Sequence, residues 1–210
     1  TESVRVTLEC YHELKKVLKS IGLSTNVGNE GAFAPSNIAS NEAPLQYMMQ
    51  AITAAGYTPG KEVAFAIDAA ANEYFKDGNY EMRVENKTYS SPQMVRFYEH
   101  WLSTYPIKTV EDLLSEDDWD HWPVLKKLTD THGVTLIGDD LTVTNSKRLQ
   151  KAIDAEAISA ILIKLNQIGT LTETVDCCMW ARRNNLSAIT SHRGGGETNE
   201  TAMVRLAVAV

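Results

Sequence analysis

The sequence predicts an α/β fold, in which a parallel sheet covered by helices forms an incomplete (β/α)8 barrel of the TIM type. Five short apolar runs each end in a titratable side chain: Asp68, Glu111, Asp139, Lys164 and His192. Segments with helical periodicity separate these runs, and successive ends lie roughly 25–30 residues apart except for a longer first interval, as expected of βα units. Charges at the ends of several strands favour a barrel, because a doubly wound sheet concentrates its function at one crevice.

The apolar runs are nearly continuous, which is typical of parallel strands that are buried on both faces. The predicted strands are VAFAID (63–68), IKTVE (107–111), VTLIGD (134–139), AILIK (160–164) and SAITSH (187–192). The longer first interval contains Asp77-Gly78-Asn79, a turn sequence between two strand-like segments. Residues 73–85 are therefore predicted to form a hairpin.

Helices are predicted between the strands from apolar spacing and from capping residues. Residues 4–19 and 44–55 place apolar side chains three or four positions apart. Ser91-Pro92 combines a capping hydroxyl with a proline in the first turn, which is typical of a helix start. The other predicted starts are Ser146 for residues 147–154, Thr172 for residues 173–184, and Asn199 for a last helix.

Composition excludes several classes of protein. The chain of 210 residues has a formal net charge of −7, whereas a nucleic-acid surface is normally basic. No apolar stretch approaches the roughly 20 residues that a membrane helix needs. The three cysteines, Cys10, Cys177 and Cys178, lack zinc-ligand spacing, so a reducing, cytoplasmic compartment is expected.

Three of the strand-ending side chains are carboxylates, and they are expected to meet at one edge of the sheet. Asp68, Glu111 and Asp139 offer only oxygen ligands, which suit Mg²⁺, Mn²⁺ or Ca²⁺ rather than zinc. Three converging negative charges would also repel each other without a cation. Each residue alone could make a structural ion pair or cap a loop, but the shared position in three strands favours a metal site.

Two further strand ends suggest chemistry beside this site. Lys164 ends an apolar run, so its amine is expected to be partly desolvated and usable as a base; a structural ion pair is the alternative. Together with a metal cluster, such a base indicates proton abstraction next to a carboxylate. His192 and Arg193 precede the glycines at 194–196, a donor-rich stretch that favours an anion such as phosphate over a plain glycine turn.

Glu30 is the sixth candidate, in the glycine-punctuated loop NVGNEGAFAP (26–35). Glycines allow the backbone of such a loop to approach a ligand closely. Glu30 could act as a general acid toward a leaving group. An exposed loop glutamate is usually only solvated, so this role needs support from elsewhere.

Six stretches of the chain resemble enolase, the phosphopyruvate hydratase of glycolysis. They are VGNEGAFAP, AIDAAANEYF, YPIKTVEDLLSEDDWDHW, IGDDLTVTN, ILIKLNQIGTLTET and SHRGGGET. They follow the family's order and spacing from end to end, and IGDDLTVTN and KLNQIGTLTET are the most specific. The resemblance implies the barrel of the enolase superfamily, for which a lysine or histidine base beside Mg²⁺ is general. It also implies dehydration of 2-phosphoglycerate to phosphoenolpyruvate and a homodimer.

The resemblance implies a role for each candidate residue. Asp68, Glu111 and Asp139 would bind Mg²⁺. Lys164 would remove the proton beside the substrate carboxylate, and Glu30 would belong to the acid that assists loss of the hydroxyl.

The resemblance also implies roles for three more residues. His192 and Arg193 would contact the substrate, Arg193 at its phosphate. Gln167 would lie near the metal without binding it directly.

The chain also departs from the family's pattern. Asn29 stands where the family usually has Asp, and Ala32 stands where it has a second glycine. Leu113-Leu114 replaces a Pro-Phe pair after the metal-binding glutamate. SHRGGGE replaces the usual SHRSGE, which removes a serine that helps to bind phosphate and metal.

Residues 1–210 are expected to form only part of an enolase-like barrel domain. The family's amino-terminal domain and its final strand, which carries a substrate-binding lysine, have no counterpart in the chain. Five strands cannot close an eight-stranded barrel. Two functions therefore stay open: the central portion of a Mg²⁺-dependent lyase, and a truncated or diverged protein with a binding or assembly role and no turnover.

Overall fold

A computed structural model describes residues 2–191 and 201–209, and a parallel sheet organises this part of the chain. The strands are β1 (Phe65–Asp68), β2 (Phe75–Lys76), β3 (Asn79–Met82), β4 (Lys87–Tyr89), β5 (Ile107–Glu111), β6 (Thr135–Gly138), β7 (Ala160–Ile163) and β8 (Ser187–Thr190). Strands β1, β5, β6, β7 and β8 form one sheet in that order, and every neighbouring pair is parallel. The order of the strands across the sheet follows their order in the sequence throughout. In a doubly wound sheet this order would reverse at one point, so the prediction of an incomplete barrel is confirmed.

Helices precede, separate and follow these strands, and most of them lie where the sequence predicted; the helices at 122–131 and 165–168 were not predicted. The helices are α1 (Glu2–Ser20), α2 (Ala43–Ala54), α3 (Ser91–Thr104), α4 (Trp122–Thr131), α5 (Ser146–Asp154), α6 (Leu165–Ile168), α7 (Leu171–Arg183) and α8 (Ala202–Ala209). Helix α4 packs on β6, α7 packs on β7 and β8, and α1 packs on α2. The predicted start at Asn199 lies outside the described residues.

The central strands β6 and β7 are buried on both faces, which explains why they are nearly continuous apolar runs. All four residues of β7 are buried. Ile161 and Ile163 belong to the main hydrophobic core, while Ala160 and Leu162 belong to a second cluster together with Ile137 of β6. Successive side chains of a strand point to opposite faces, so the second cluster lies on the face that a closed barrel would enclose.

The capping residues of three helices differ from the predicted ones. They are Ser90, Asn145 and Thr170 instead of Ser91, Ser146 and Thr172. The backbone N–H of Ser90 donates to Oε1 of Gln93 at 2.8 Å. A capping side chain belongs to the extended residue that precedes the first helical one, from which it reaches the free N–H groups of the first turn. The helices were thus predicted in the right places, and their caps were misplaced by one or two residues.

The predicted hairpin forms between β2 and β3, but it is part of a larger excursion. Strand β4 pairs with β3 and makes a three-stranded antiparallel sheet, and residues 71–74 form a short 3₁₀ helix before it. Tyr80 in β3 is fully buried, and its hydroxyl donates to Oδ2 of Asp118 at 2.7 Å. The same hydroxyl accepts the backbone N–H of Ser115 at 3.0 Å. The excursion therefore holds the loop that follows β5.

Two global properties bear on the predicted class of protein. Among residues 2–191 and 201–209, no helix combines the length and the apolarity needed to cross a membrane. Cys10, Cys177 and Cys178 are free thiols, and the last two are buried.

Candidate active site

Strands β1 and β5 place Asp68 and Glu111 side by side. The two residues are direct partners in the register of the parallel pair, and neighbouring strands are about 4.8 Å apart. Oδ1 of Asp68 accepts the backbone N–H of Ala70 at 3.0 Å, which fixes its carboxylate just beyond the strand. Two of the three predicted metal ligands therefore share one edge of the sheet.

Simultaneous ionisation of the carboxylates of Asp68 and Glu111 is unfavourable in this site. Burial, together with the negative charges of Asp68 and Asp139, raises the pKa of Glu111 to about 7. Burial also raises the pKa of Asp68, although the hydrogen bond from Ala70 opposes this effect. A bound cation would favour the charged forms of these carboxylates.

Asp139 and Lys164 meet across β6 and β7. Nζ of Lys164 is hydrogen-bonded to Oδ2 of Asp139, and the two side chains are only 15% and 8% exposed. Oδ1 of Asp139 is buried and has no hydrogen-bond partner among the described residues. A buried acceptor without a partner is unfavourable, so this oxygen suits a cation. The structure therefore contains an ion pair at Lys164, which was the alternative interpretation of this residue.

The tightest acidic group differs from the predicted set of metal ligands. One oxygen each of Asp112, Asp139 and Asp140 lies within 4.8 Å of the others, and the described residues offer this group as a possible cation site. Sequence reasoning placed Asp68 and Glu111 with Asp139 instead. Both sets contain Asp139, so they are distinguished by which of the other carboxylate oxygens already accept hydrogen bonds.

Hydrogen bonds already occupy two members of this second group, Asp112 and Asp140. The two oxygens of Asp112 accept the backbone N–H groups of Asp139 at 3.0 Å and of Asp140 at 2.8 Å. Oδ2 of Asp140 accepts Nδ2 of Asn72 at 2.9 Å. Burial raises the pKa of Asp112 to about 8 despite its two N–H donors. Asp112 thus has a structural task already, whereas Oδ1 of Asp139 has none.

Gln167 lies beside Lys164 at the start of α6. Its backbone N–H donates to the carbonyl oxygen of Lys164 at 3.1 Å. Its Oε1 makes a long contact of 3.5 Å with the hydroxyl of Thr144, which in turn accepts the backbone N–H of Lys164 at 2.9 Å. The structure therefore brings Gln167 close to the predicted base.

Glu30 is not brought to these residues by any described contact. Its loop is closed by a bridge between Val27 and Phe33 and by the hydroxyl of Tyr11, which donates to the carbonyl oxygen of Gly31 at 2.8 Å. The Glu30 side chain is exposed, and no hydrogen bond or ion pair links it to another described residue. Its catalytic role stays a prediction.

The predicted substrate contacts His192 and Arg193 lie outside the described residues, as do the glycines at 194–196. The backbone N–H of Ser191, the last described residue before them, donates to the carbonyl oxygen of Ile163 at 2.9 Å. Ile163 directly precedes Lys164, so the chain reaches the edge of the sheet beside the predicted base.

Sequence reasoning missed two residues that organise the site, Asp112 and Thr144. A signal for Asp112 exists in the doubled carboxylates Glu111-Asp112 and Asp139-Asp140, of which only the first members were assigned. Thr144 has no comparable signal, because its role depends on a neighbouring strand that is distant in sequence.

Comparisons with known proteins show the family of this chain. The family described as "Enolase, C-terminal TIM barrel domain" matches residues 1–210. The chain belongs to this enolase family. Enolase 1 of Methanospirillum hungatei JF-1 is 47% identical to it over 209 residues, which is 100% of this chain and 48% of that protein. The chain thus spans about half the length of this enolase relative.

Membership of the enolase family indicates that the charged residues at the strand ends lie where TIM barrels have their active sites. Active sites of TIM barrels lie at the carboxyl ends of the strands. Asp68, Glu111, Asp139 and Lys164 all end strands or directly follow them. The carboxyl edge of this enolase-family sheet is therefore the candidate active site.

Proposed function

We propose that this chain carries the metal-binding and proton-abstracting part of an enolase that converts 2-phosphoglycerate to phosphoenolpyruvate in cytoplasmic glycolysis. One observation carries the proposal. One oxygen of the Asp139 carboxylate is hydrogen-bonded to the amine of Lys164, and the other is buried and has no partner in the described chain. Such an arrangement fits a cation and a base that act on the same substrate.

Asp68, Glu111 and Asp139 would hold Mg²⁺. Their oxygen-only chemistry suits this ion, and the raised pKa of Glu111, about 7, reflects burial and neighbouring negative charges, which a cation would offset. Bound Mg²⁺ supplies positive charge that offsets the negative charge developing on the substrate carboxylate. Gln167 would support the site from beside Lys164.

Lys164 would act as the base in its uncharged form. The bond between the proton and the carbon next to the substrate carboxylate breaks, and the proton moves to Nζ of Lys164. The hydroxyl on the neighbouring carbon then leaves as water, after it receives a proton from the acid to which Glu30 belongs. His192 and Arg193 would bind the substrate, with Arg193 at its phosphate. A homodimer is proposed from the family resemblance alone.

A non-catalytic role in binding or assembly is the second candidate. Two observations favour it for the chain by itself: the chain spans 48% of the enolase relative, and Glu30 has no described contact with the other candidate residues. We therefore expect the isolated chain of 210 residues to show little or no turnover.

The test measures the absorbance of phosphoenolpyruvate formed from 2-phosphoglycerate with Mg²⁺. It compares the isolated chain with a chimera in which this chain replaces the aligned half of the Methanospirillum Enolase 1. We expect turnover in the chimera, and a loss of about 10²- to 10⁴-fold on Lys164→Ala. Lys147→Ala is the matched control, because Lys147 is exposed and has no ion pair within the described residues.

Each outcome has a distinct meaning. Turnover that survives Lys164→Ala in the chimera would exclude Lys164 as the base. A folded chimera that binds Mn²⁺ without turnover would support the non-catalytic role. Robust turnover by the isolated chain, lost on Lys164→Ala, would contradict its expected inactivity.

A further inference from the structure

The loop after β5 holds the end of β6 through one buried side chain. Asp112, which is 4% exposed, accepts the backbone N–H groups of both Asp139 and Asp140. Its own N–H donates to the carbonyl oxygen of Ile137 at 3.3 Å, and its carbonyl oxygen accepts the N–H of Ala71 at 3.0 Å. Asp112 therefore joins the ends of β1, β5 and β6.

The loop after β6 holds the end of β7 in the same way. Thr144 is fully buried, and its hydroxyl accepts the backbone N–H of Lys164 at 2.9 Å. The hydroxyl also lies 3.4 Å from the carbonyl oxygen of Leu162, to which it can donate. Thr144 thus satisfies two backbone groups on either side of Ile163.

Both loops contain residues with a left-handed backbone, and this conformation is unfavourable for the β-branched pair Val143-Thr144. The φ angles are 43° at Asp112, 46° at Val143 and 56° at Thr144. Left-handed conformations are uncommon for residues other than glycine and unusual for β-branched ones, and they persist where the surroundings over-determine them. A loop that only connected two elements would favour Gly, Asn or Asp at the positions of Val143 and Thr144.

We infer that Asp112 and Thr144 are positioning residues, which set the Asp139 carboxylate and the Lys164 amine by holding the backbone at the end of the next strand. The inference rests on the proposed function. Asp112 acts through Asp139, a proposed metal ligand, whereas Thr144 acts through Lys164, the proposed base. Their effects on metal binding and on proton transfer are therefore separable.

The Thr144 test uses Thr144→Val, which keeps the shape and removes the hydroxyl. In the chimera we expect kcat to fall about 10- to 100-fold, with KM for 2-phosphoglycerate and Mn²⁺ affinity changed less than about 2-fold. Thr144→Ser should restore kcat, because it keeps the hydroxyl. Thr129→Val is the matched control: Thr129 is equally buried, but its hydroxyl donates to the carbonyl oxygen of Lys126 in α4 at 2.9 Å.

The Asp112 test uses Asp112→Asn, which replaces one acceptor oxygen by a donor. We expect the Mn²⁺ affinity, measured by electron paramagnetic resonance, to fall about 10- to 100-fold in both the isolated chain and the chimera. Asp118→Asn is the control, since Asp118 is also buried but is bonded to Tyr80. If Asp112→Asn does not fold, Asp112→Glu must weaken Mn²⁺ binding, because its oxygens lie one methylene further out.

The opposite pattern overturns the inference. If both substitutions lower only Tm and leave kcat and Mn²⁺ affinity unchanged, Asp112 and Thr144 are structural residues. The proposed function would survive that result as long as the unsubstituted chimera turns over and its Lys164→Ala variant does not. If the chimera has no turnover, the Mn²⁺ affinities decide: Asp112→Asn must weaken binding and Thr144→Val must not.

Discussion

Asp139 uses its two carboxylate oxygens differently: Oδ2 is hydrogen-bonded to Nζ of Lys164, and Oδ1 is buried without a partner in the described chain. A cation at Oδ1 and the ammonium group at Oδ2 would compete for the same negative charge. The metal site and the base of the proposed reaction are therefore coupled through one side chain.

Asp139→Asn should weaken Mg²⁺ binding by about 10-fold or more, because it removes the negative charge of the central ligand. Competition with Mn²⁺, followed by electron paramagnetic resonance in the isolated chain, measures the affinity. Asp154→Asn is the control, because Asp154 is an exposed residue at the end of α5. An unchanged Mg²⁺ affinity would remove Asp139 from the ligand set.

Mg²⁺ should stabilise the chain more at high pH than at low pH. Burial and neighbouring charges raise the pKa of Glu111 from 4.5 to about 7, so the folded site binds more protons than the unfolded chain. Without a divalent cation, the free energy of unfolding therefore falls as pH rises through this interval. Mg²⁺ favours the deprotonated carboxylates, so the rise in Tm on adding Mg²⁺ should grow from about pH 5 to about pH 8.

Glu111→Gln supplies the control for this pH dependence. The variant should lose most of the difference between the Mg²⁺-induced Tm shifts at the two pH values, since the group that titrates has been removed. An equal Mg²⁺ effect at both pH values in the unsubstituted chain would contradict the expected linkage.

Local patterns were enough to predict the strands of the parallel sheet. Apolar runs such as AILIK (160–164) indicate burial on both faces, and β7 is buried throughout. The regular spacing of these runs indicated alternating strands and helices, and the charges at several strand ends favoured a barrel over a doubly wound sheet. The side-by-side placement of Asp68 and Glu111 followed from this class, because the carboxyl ends of parallel strands share one edge.

Contacts between a side chain and a distant backbone group could not be predicted in this way. Thr144 accepts the N–H of Lys164, and Asp112 accepts the N–H groups of Asp139 and Asp140. No periodicity records which N–H a loop side chain reaches, since this depends on the register between neighbouring strands. For the same reason, β4 was missed as the third strand of the hairpin excursion.

The corrected cap of α5 predicts a difference between two adjacent substitutions. Oδ1 of Asn145 accepts the N–H groups of Lys147 at 2.9 Å and of Arg148 at 3.2 Å. Asn145→Ala should therefore reduce the free energy of unfolding by about 1 kcal/mol. Ser146→Ala should leave it nearly unchanged, because Ser146 is the first helical residue. Urea denaturation of both variants makes the comparison, and equal losses would contradict the observed cap.

Tyr80→Phe should destabilise the chain far more than Tyr89→Phe, although the two tyrosines are register partners in β3 and β4. Removing the Tyr80 hydroxyl leaves Oδ2 of Asp118 and the N–H of Ser115 without this partner in a buried setting, at a cost of about 1–3 kcal/mol. The hydroxyl of Tyr89 makes no hydrogen bond to a described residue, so its loss should change the free energy of unfolding by less than about 0.5 kcal/mol. Chemical denaturation measures both values, and similar effects would mean that the excursion does not hold the loop after β5.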